Sequence, residues 1–264
     1  MKKGILKKLS FMIVALIVAA GVSACSEKND NKSDSKNGKV IVVGFDNTFV
    51  PMGFLDDKNQ IVGFDIDLAK EAFKRMGMTP KFENIDWSMK EQSLKNKNVD
   101  VLWNGYSITE ERKKQVNFTD PYLDNKQIII TMSKESFNKK DDLKGQIVGT
   151  QAASSGLEAI EADKAFTDMI KDKKATTYDT YDKALRDLEI GRVKAIVGDE
   201  VLLKYYIKQR GEDKYKILEG DLGSEQYGVG FRKEDKELRD KLNKTLKEMK
   251  DDGTFKKIEE KWFK

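Results

Sequence analysis

Apolar and polar positions follow two rhythms along this chain, and the rhythm switches repeatedly. Val40-Ile41-Val42-Val43-Gly44 is a continuous apolar run, the pattern of a buried strand. From Asp65 to Met76 the period changes to three and four. Leu68, Ala69, Ala72, Phe73 and Met76 share a face, and Gly77 stands at the C-terminal stop. Strands are predicted again at Val99–Trp103, Gln127–Met132 and Gln146–Thr150, the last followed by a helix from about Ser154. Tyr181 to Ile190 reads as a helix with Ala184, Leu185 and Leu188 inward. Val193 to Val197 is a strand ending at Asp199, and Gly228 to Phe231 is short and extended. Leu238, Leu242, Thr245, Leu246 and Met249 mark a last long helix, ending before Gly253.

Alternating strands and helices predict an α/β fold with mainly parallel sheets. In such sheets ligands sit beyond the carboxyl ends of the strands. Asp46, Asn104-Gly105, Gln151 and Asp199 all fall there.

The N-terminus carries a different pattern. Lys2, Lys3, Lys7 and Lys8 form a basic region, and Leu9 to Ala20 is apolar. That run is shorter than the roughly 20 residues of a bilayer span and reads as a signal peptide over residues 1–24. Val22-Ser23-Ala24-Cys25 follows and resembles the lipobox of bacterial lipoproteins, which implies cleavage before Cys25 and acylation of its thiol. An anchored protein on the extracytoplasmic face of the cell membrane is expected, with the lipid bilayer as a partner through Cys25. The alternative is a simple secretory signal. Ser26 to Lys39 contains no apolar side chain and reads as a disordered tether.

Charge matters only after that segment is removed. The whole chain has 49 basic and 45 acidic residues. Residues 1–24 hold four lysines and no acid, so the remainder has a formal charge of zero. The case for nucleic acid as a partner disappears with the excess.

The chemistry is bounded by what is missing. The sequence contains no histidine and a single cysteine, so histidine-based triads, histidine metal ligands and the usual proton shuttle are excluded. No phosphate-binding glycine loop follows a strand. No metal or cofactor is expected.

Arg112 is the sharpest positive feature, because guanidinium grips a carboxylate bidentately. By itself it reads as one solvated member of Glu110-Glu111-Arg112-Lys113-Lys114. Gly105 and Ser107 upstream shift the reading: glycine permits close backbone approach and serine supplies a donor. Ser154-Ser155-Gly156 opens a helix whose N-terminus offers free N–H groups, with ordinary capping by Ser154 as the compatible alternative. Asp199 suits an ammonium group and could equally cap the following helix. Asp46 ends the first strand. Phe49, Trp87 and Trp103 could wall a ligand, although core packing is the commoner fate of such rings.

These residues, in this order, resemble the extracytoplasmic solute-binding proteins of polar amino-acid ABC importers. The glutamine-, histidine- and lysine/arginine/ornithine-binding proteins look nearest. The likeness runs from about Val40 to Phe263. It is carried by Phe64-Asp65-Ile66-Asp67-Leu68-Ala69, by Ser107-Ile108-Thr109 through Arg112, by Phe118-Thr119-Asp120 and by Asp252-Gly253-Thr254-Phe255.

The resemblance implies a monomeric type II binding-protein fold. Its two α/β lobes would be 39–122 plus 228–264, and 127–222, with hinge strands at 123–126 and 223–227. It implies capture of a polar amino acid by cleft closure and delivery to a transmembrane permease. Arg112, Ser107 and the helix start at Ser154 would hold the ligand carboxylate. Asp199 and the Gly105 carbonyl would hold its ammonium. Phe49 and Trp87 would sandwich the side chain, and Asp46 would read its amide or amine. Gln151 stands where a lysine is expected and Gly198 where a histidine is, and Asn104 and Trp103 are unlike most members. Acidic ligands are therefore disfavoured, while glutamine, cystine and basic amino acids stay open. The alternative on the same fold is a dehydratase of a cyclic amino-acid precursor, with Asp46 or Asp199 as its general acid.

Overall fold

The computed structural model describes residues 38–264. The expectations for residues 1–24, for Cys25 and for the tether up to residue 37 fall outside the described residues. The chain begins with β1 (Val40–Phe45) and a three-stranded antiparallel flap, β2 (Thr48–Phe49), β3 (Gly53–Leu55) and β4 (Ile61–Val62). It continues through α1 (Phe64–Arg75), β5 (Thr79–Asn84), α2 (Lys90–Lys95), β6 (Val101–Leu102), α3 (Glu110–Gln115) and β7 (Asn117–Phe118). β8 (Leu123–Met132) then leads into β9 (Val148–Gln151), α4 (Ser155–Ala162), α5 (Lys164–Met169), β10 (Thr176–Tyr178), α6 (Tyr181–Glu189), β11 (Ala195–Asp199), α7 (Glu200–Arg210) and β12 (Tyr215–Ile217). The chain returns on β13 (Ser224–Tyr227) to β14 (Gly230–Phe231), α8 (Lys236–Asp251) and α9 (Thr254–Phe263).

Two sheets result. The first has the order β5-β1-β6-β14-β7 and the second β10-β9-β11-β8-β12. Parallel pairing is confined to β5, β1 and β6 in one and to β10, β9 and β11 in the other. The remaining pairs are antiparallel, so both sheets are mixed where mainly parallel ones were expected. The cause is the connection between them. The first four residues of β8 pair with β13, Leu123 against Tyr227 and Lys126 against Ser224, before the strand enters the second sheet. A two-stranded antiparallel ribbon thus joins two sheet-rich lobes. The Gln127 start expected for this strand is four residues late, because Asp124-Asn125-Lys126-Gln127 has no apolar pattern.

Helices cover the apolar strands. Leu68, Ala69, Ala72 and Phe73 of α1 bury their face, packed with Ile41, Val43, Leu242 and Met249. One apolar cluster runs on through Phe49, Tyr122, Tyr227 and Tyr181 toward the second sheet. A separate cluster of Ile129, Leu143, Val148, Ile160, Phe166 and Val197 fills the far side of that sheet. Trp103 belongs to the first core: it is fully buried, with its ring 6.1 Å from Phe73 and 6.2 Å from Tyr122. This is the core packing expected as the commoner fate of such rings, and not a ligand wall. Beyond α8, Gly253 takes φ +79° and Arg75 bonds both Asp252 (2.6 Å) and Thr254 (2.9 Å). That turn starts α9, a helix the sequence pattern left out. Among the described residues no helix is long and apolar enough to cross a membrane.

Candidate functional site

Backbone segments from the first lobe, from the second and from the ribbon converge on one buried polar cluster. Asp46 closes β1. Its Oδ1 accepts from the Thr48 amide (2.9 Å) and hydroxyl (2.7 Å), and its Oδ2 accepts from Gln151 Nε2 (2.7 Å) at the end of β9. Burial pushes the Asp46 carboxyl up, against the downward pull of these donors. Asn104 fixes this turn by accepting the Asp46 backbone N–H at 3.0 Å. Its side chain is thus engaged inside the first lobe.

Gly105 adopts φ +57°, and a Cβ there would lie 2.8 Å from Phe49. Both the turn and the close approach therefore require glycine. Its N–H donates to Asp65 Oδ2 at 2.7 Å, and Tyr122 donates to the same oxygen at 2.9 Å. Asp65 is fully buried, and desolvation raises its pKa to about 7. A residue quoted from sequence only as part of a helix start is thus the post that holds the Gly105 loop.

Arg112 is 3% exposed, so the solvated-surface reading fails. Thr109 caps α3 by accepting the Arg112 amide, which turns the side chain inward. Nη1 donates to the Ser107 carbonyl (3.1 Å), Nη2 pairs with Glu158 (2.9 Å), and the guanidinium lies 4.9 Å from the centre of the Tyr106 ring. Beside it is Lys90, which the sequence pattern did not single out. Lys90 is buried, and its Nζ donates to the Ala153 carbonyl at 2.8 Å, an acceptor Arg112 Nη2 approaches at 3.4 Å. Desolvation, then the Arg112 charge, lower the Lys90 pKa to about 8.

The two serines at the start of α4 divide their work. Ser154 Oγ accepts the Leu157 amide and donates to the Gln151 carbonyl, so it is an ordinary helix cap. Ser155 is the hydroxyl that faces the first lobe, 3.0 Å from Ser107 Oγ. Asp199 makes no side-chain cap bond to α7. Its Oδ1 accepts from Tyr227 (2.6 Å), Asn125 (2.8 Å) and Gln127 (3.2 Å). Burial and the Glu225 carboxylate hold Asp199 well above the usual carboxylate range. Asn125 and Glu225 come from the ribbon and Gln127 from the next residue of β8; all three were missed, because a polar crossing strand leaves no periodicity.

Phe49 and Trp87 are both buried but pack in different clusters, Phe49 near Tyr181 (6.2 Å) and Trp87 against Tyr106 (5.7 Å). Tyr181 also explains Gly198: a Cβ there would fall 2.6 Å from the tyrosine ring. Four buried polar atoms of this cluster have no protein partner: Asn104 Nδ2, Arg112 Nε, Gln127 Oε1 and Gln151 Oε1. Folded proteins leave few such atoms unpaired, so these four are open to a further partner. Among the described residues no group of three metal-ligating side chains occurs.

Residues 41–264 match the bacterial extracellular solute-binding proteins, family 3. The chain belongs to this family. Among its relatives is the ABC transporter arginine-binding protein 1 of Escherichia coli, 34% identical over 83% of this chain and 89% of that one. A histidine-bound substrate-binding protein of an ABC uptake transporter from Streptococcus pneumoniae superposes with TM-score 0.83 at 38% identity, covering 85% of this chain and 92% of that one. An ancestral arginine-binding protein bound to glutamine gives TM-score 0.77 at 40% identity, covering 85% and 97%.

Proposed function

We propose that this protein captures a polar amino acid for a membrane permease of the ABC type, and that its preferred ligand is cationic, with L-arginine first. One observation carries the reading. Arg112, Ser107, Asp46, Gln151 and Asp199 meet in a single buried cluster at the junction of two lobes, where they offer a carboxylate grip and acidic acceptors together. Arg112 and the Ser155 end of α4 suit an α-carboxylate, and Asp199 with the Gly105 carbonyl suits an α-ammonium. Asp46, bonded to Gln151 in place of the expected lysine, suits a cationic side-chain end. Glu158 already offsets Arg112, while Asp46 and Asp199 remain without a protein cation within ion-pair distance among the described residues. The names of the arginine-binding relatives point the same way.

Residues 123–126 and 223–227 serve as the hinge in this reading, because only two strands connect the lobes there. Cys25 within its lipobox-like segment would tether the domain to the membrane's outer face. Calorimetric titration with arginine, histidine, glutamine, cystine and ornithine tests the proposal. One-to-one binding of arginine that is lost in Arg112→Ala supports it, and heat from none of the five contradicts it.

A further inference from the structure

Asp199 Oδ1 and Glu225 Oε1 share the same two amide donors. Asn125 Nδ2 lies 2.8 Å from the first and 2.7 Å from the second. Gln127 Nε2 lies 3.2 Å and 3.0 Å from them. The two carboxylates are therefore neighbours, one at the end of β11 and one on β13. Asp199 is buried and Glu225 half-buried. Around them stand Tyr227, which donates to Asp199, and Ser107 and Ser155, whose hydroxyls lie 2.8 Å and 3.4 Å from Glu225.

Among the described residues neither acid has a lysine or arginine within ion-pair distance. Lys126 and Lys204 both turn to Glu200, and Arg112 reaches only the Ser107 carbonyl on this side. Tyr181 and Tyr227, the other titratable groups facing Asp199, are pushed up by burial and by its charge and stay protonated at neutral pH. Two adjacent carboxylates held only by neutral donors repel, and such a pair lowers its energy by keeping one proton between them. A cation placed between them removes that need.

We propose that Asp199 and Glu225 act as one two-carboxylate receptor for the ligand's ammonium group, and that capture of the ammonium releases the proton the pair otherwise keeps. The inference rests on the amino-acid reading of the site and adds Glu225 to it. In the ligand-free protein the pair carries one proton and one negative charge. The ammonium brings one positive charge, the remaining O–H bond ionises, and its proton leaves to the buffer.

The test is calorimetric titration of the purified protein with L-arginine in phosphate and in Tris, buffers of unequal ionisation enthalpy, at matched pH from about 6 to about 8.5. The observed enthalpies are expected to differ between buffers by a release approaching one proton at the acid end and fading at the alkaline end. Affinity should rise with pH over the same range, by at most about tenfold per unit. Glu225→Gln should lose the release and weaken arginine binding, and Glu225→Asp should keep it. Equal enthalpies in both buffers, or an unchanged release in Glu225→Gln, overturn the proposal. The wild-type comparison decides by itself if Glu225→Gln does not fold. Binding without release sinks the receptor alone, whereas no binding of any amino acid sinks the functional reading with it.

Discussion

Asp46 Oδ2 and Gln151 Nε2 meet at 2.7 Å, joining the end of the first strand of one lobe to a strand end of the other across 105 residues of sequence. Asp46 is bound on its other oxygen by Thr48, so the first lobe holds the carboxylate in place and Gln151 reaches it from the opposite lobe. In this account a cationic side chain inserts at that contact. Asp46→Asn is expected to weaken arginine by about tenfold or more while sparing glutamine, a change read by competition titration. Equal weakening for both ligands would contradict the side-chain-reading role.

Arg112→Ala is expected to abolish binding, at a cost of about 2–5 kcal/mol. Arg112→Lys should recover little, because the side chain is buried against Tyr106 and a lysine cannot form the bidentate grip. The check is affinity together with melting temperature, since Arg112 also pairs with Glu158 and bonds the Ser107 carbonyl.

The two serines of α4 should separate cleanly. Ser154→Ala removes a helix cap and should cost about 1 kcal/mol of stability with a small effect on affinity. Ser155→Ala should do the reverse, because its hydroxyl faces Ser107 and Gln127. Thermal melts and arginine titrations of both variants decide this, and an interchange of the two effects would contradict the assignment.

Gly198→Ala should destabilise the second lobe by about 1–3 kcal/mol, since the added methyl meets the Tyr181 ring at 2.6 Å. The displaced ring also approaches Phe49, so ligand affinity should fall as well. Unchanged melting and binding would show that Tyr181 yields freely.

Asp65 gives a pH dependence with a definite sign. Its pKa is raised from 3.8 to about 7, so the folded protein holds this proton more tightly than the unfolded chain does. The stability from this group is full below pH about 4 and is lost as pH rises to about 7. Asp65→Asn should flatten that part of the stability profile, measured by urea unfolding between those limits. A slope that persists in the variant would assign it to another group.

Much of this architecture was legible because apolar runs identify buried strands and the ends of strands locate a site. Asp46, Gln151 and Asp199 were put at strand ends by that rule, which is where they lie. The limits are equally physical. Lys90 lies in the polar run Lys90-Glu91-Gln92, yet it is buried, and its shortest hydrogen bond goes to Ala153, 63 residues away. Asn125, Gln127 and Glu225 sit on strands that cross between lobes, where no apolar face exists to impose a period of two. Ser155 was hidden behind Ser154, since spacing cannot tell which of two adjacent hydroxyls caps the helix. Trp103 could be read two ways from sequence, because burial in a core and burial against a ligand select the same residue type; it lies in the core.

The most direct test of the central claim is titration of the purified protein, unfolded and refolded to strip carried-over ligand, with L-arginine and then with histidine, glutamine, cystine and ornithine. The account predicts tight one-to-one binding, strongest for a basic amino acid and absent in Arg112→Ala. Binding of arginine that survives Arg112→Ala, or no heat from any of the five, would contradict it.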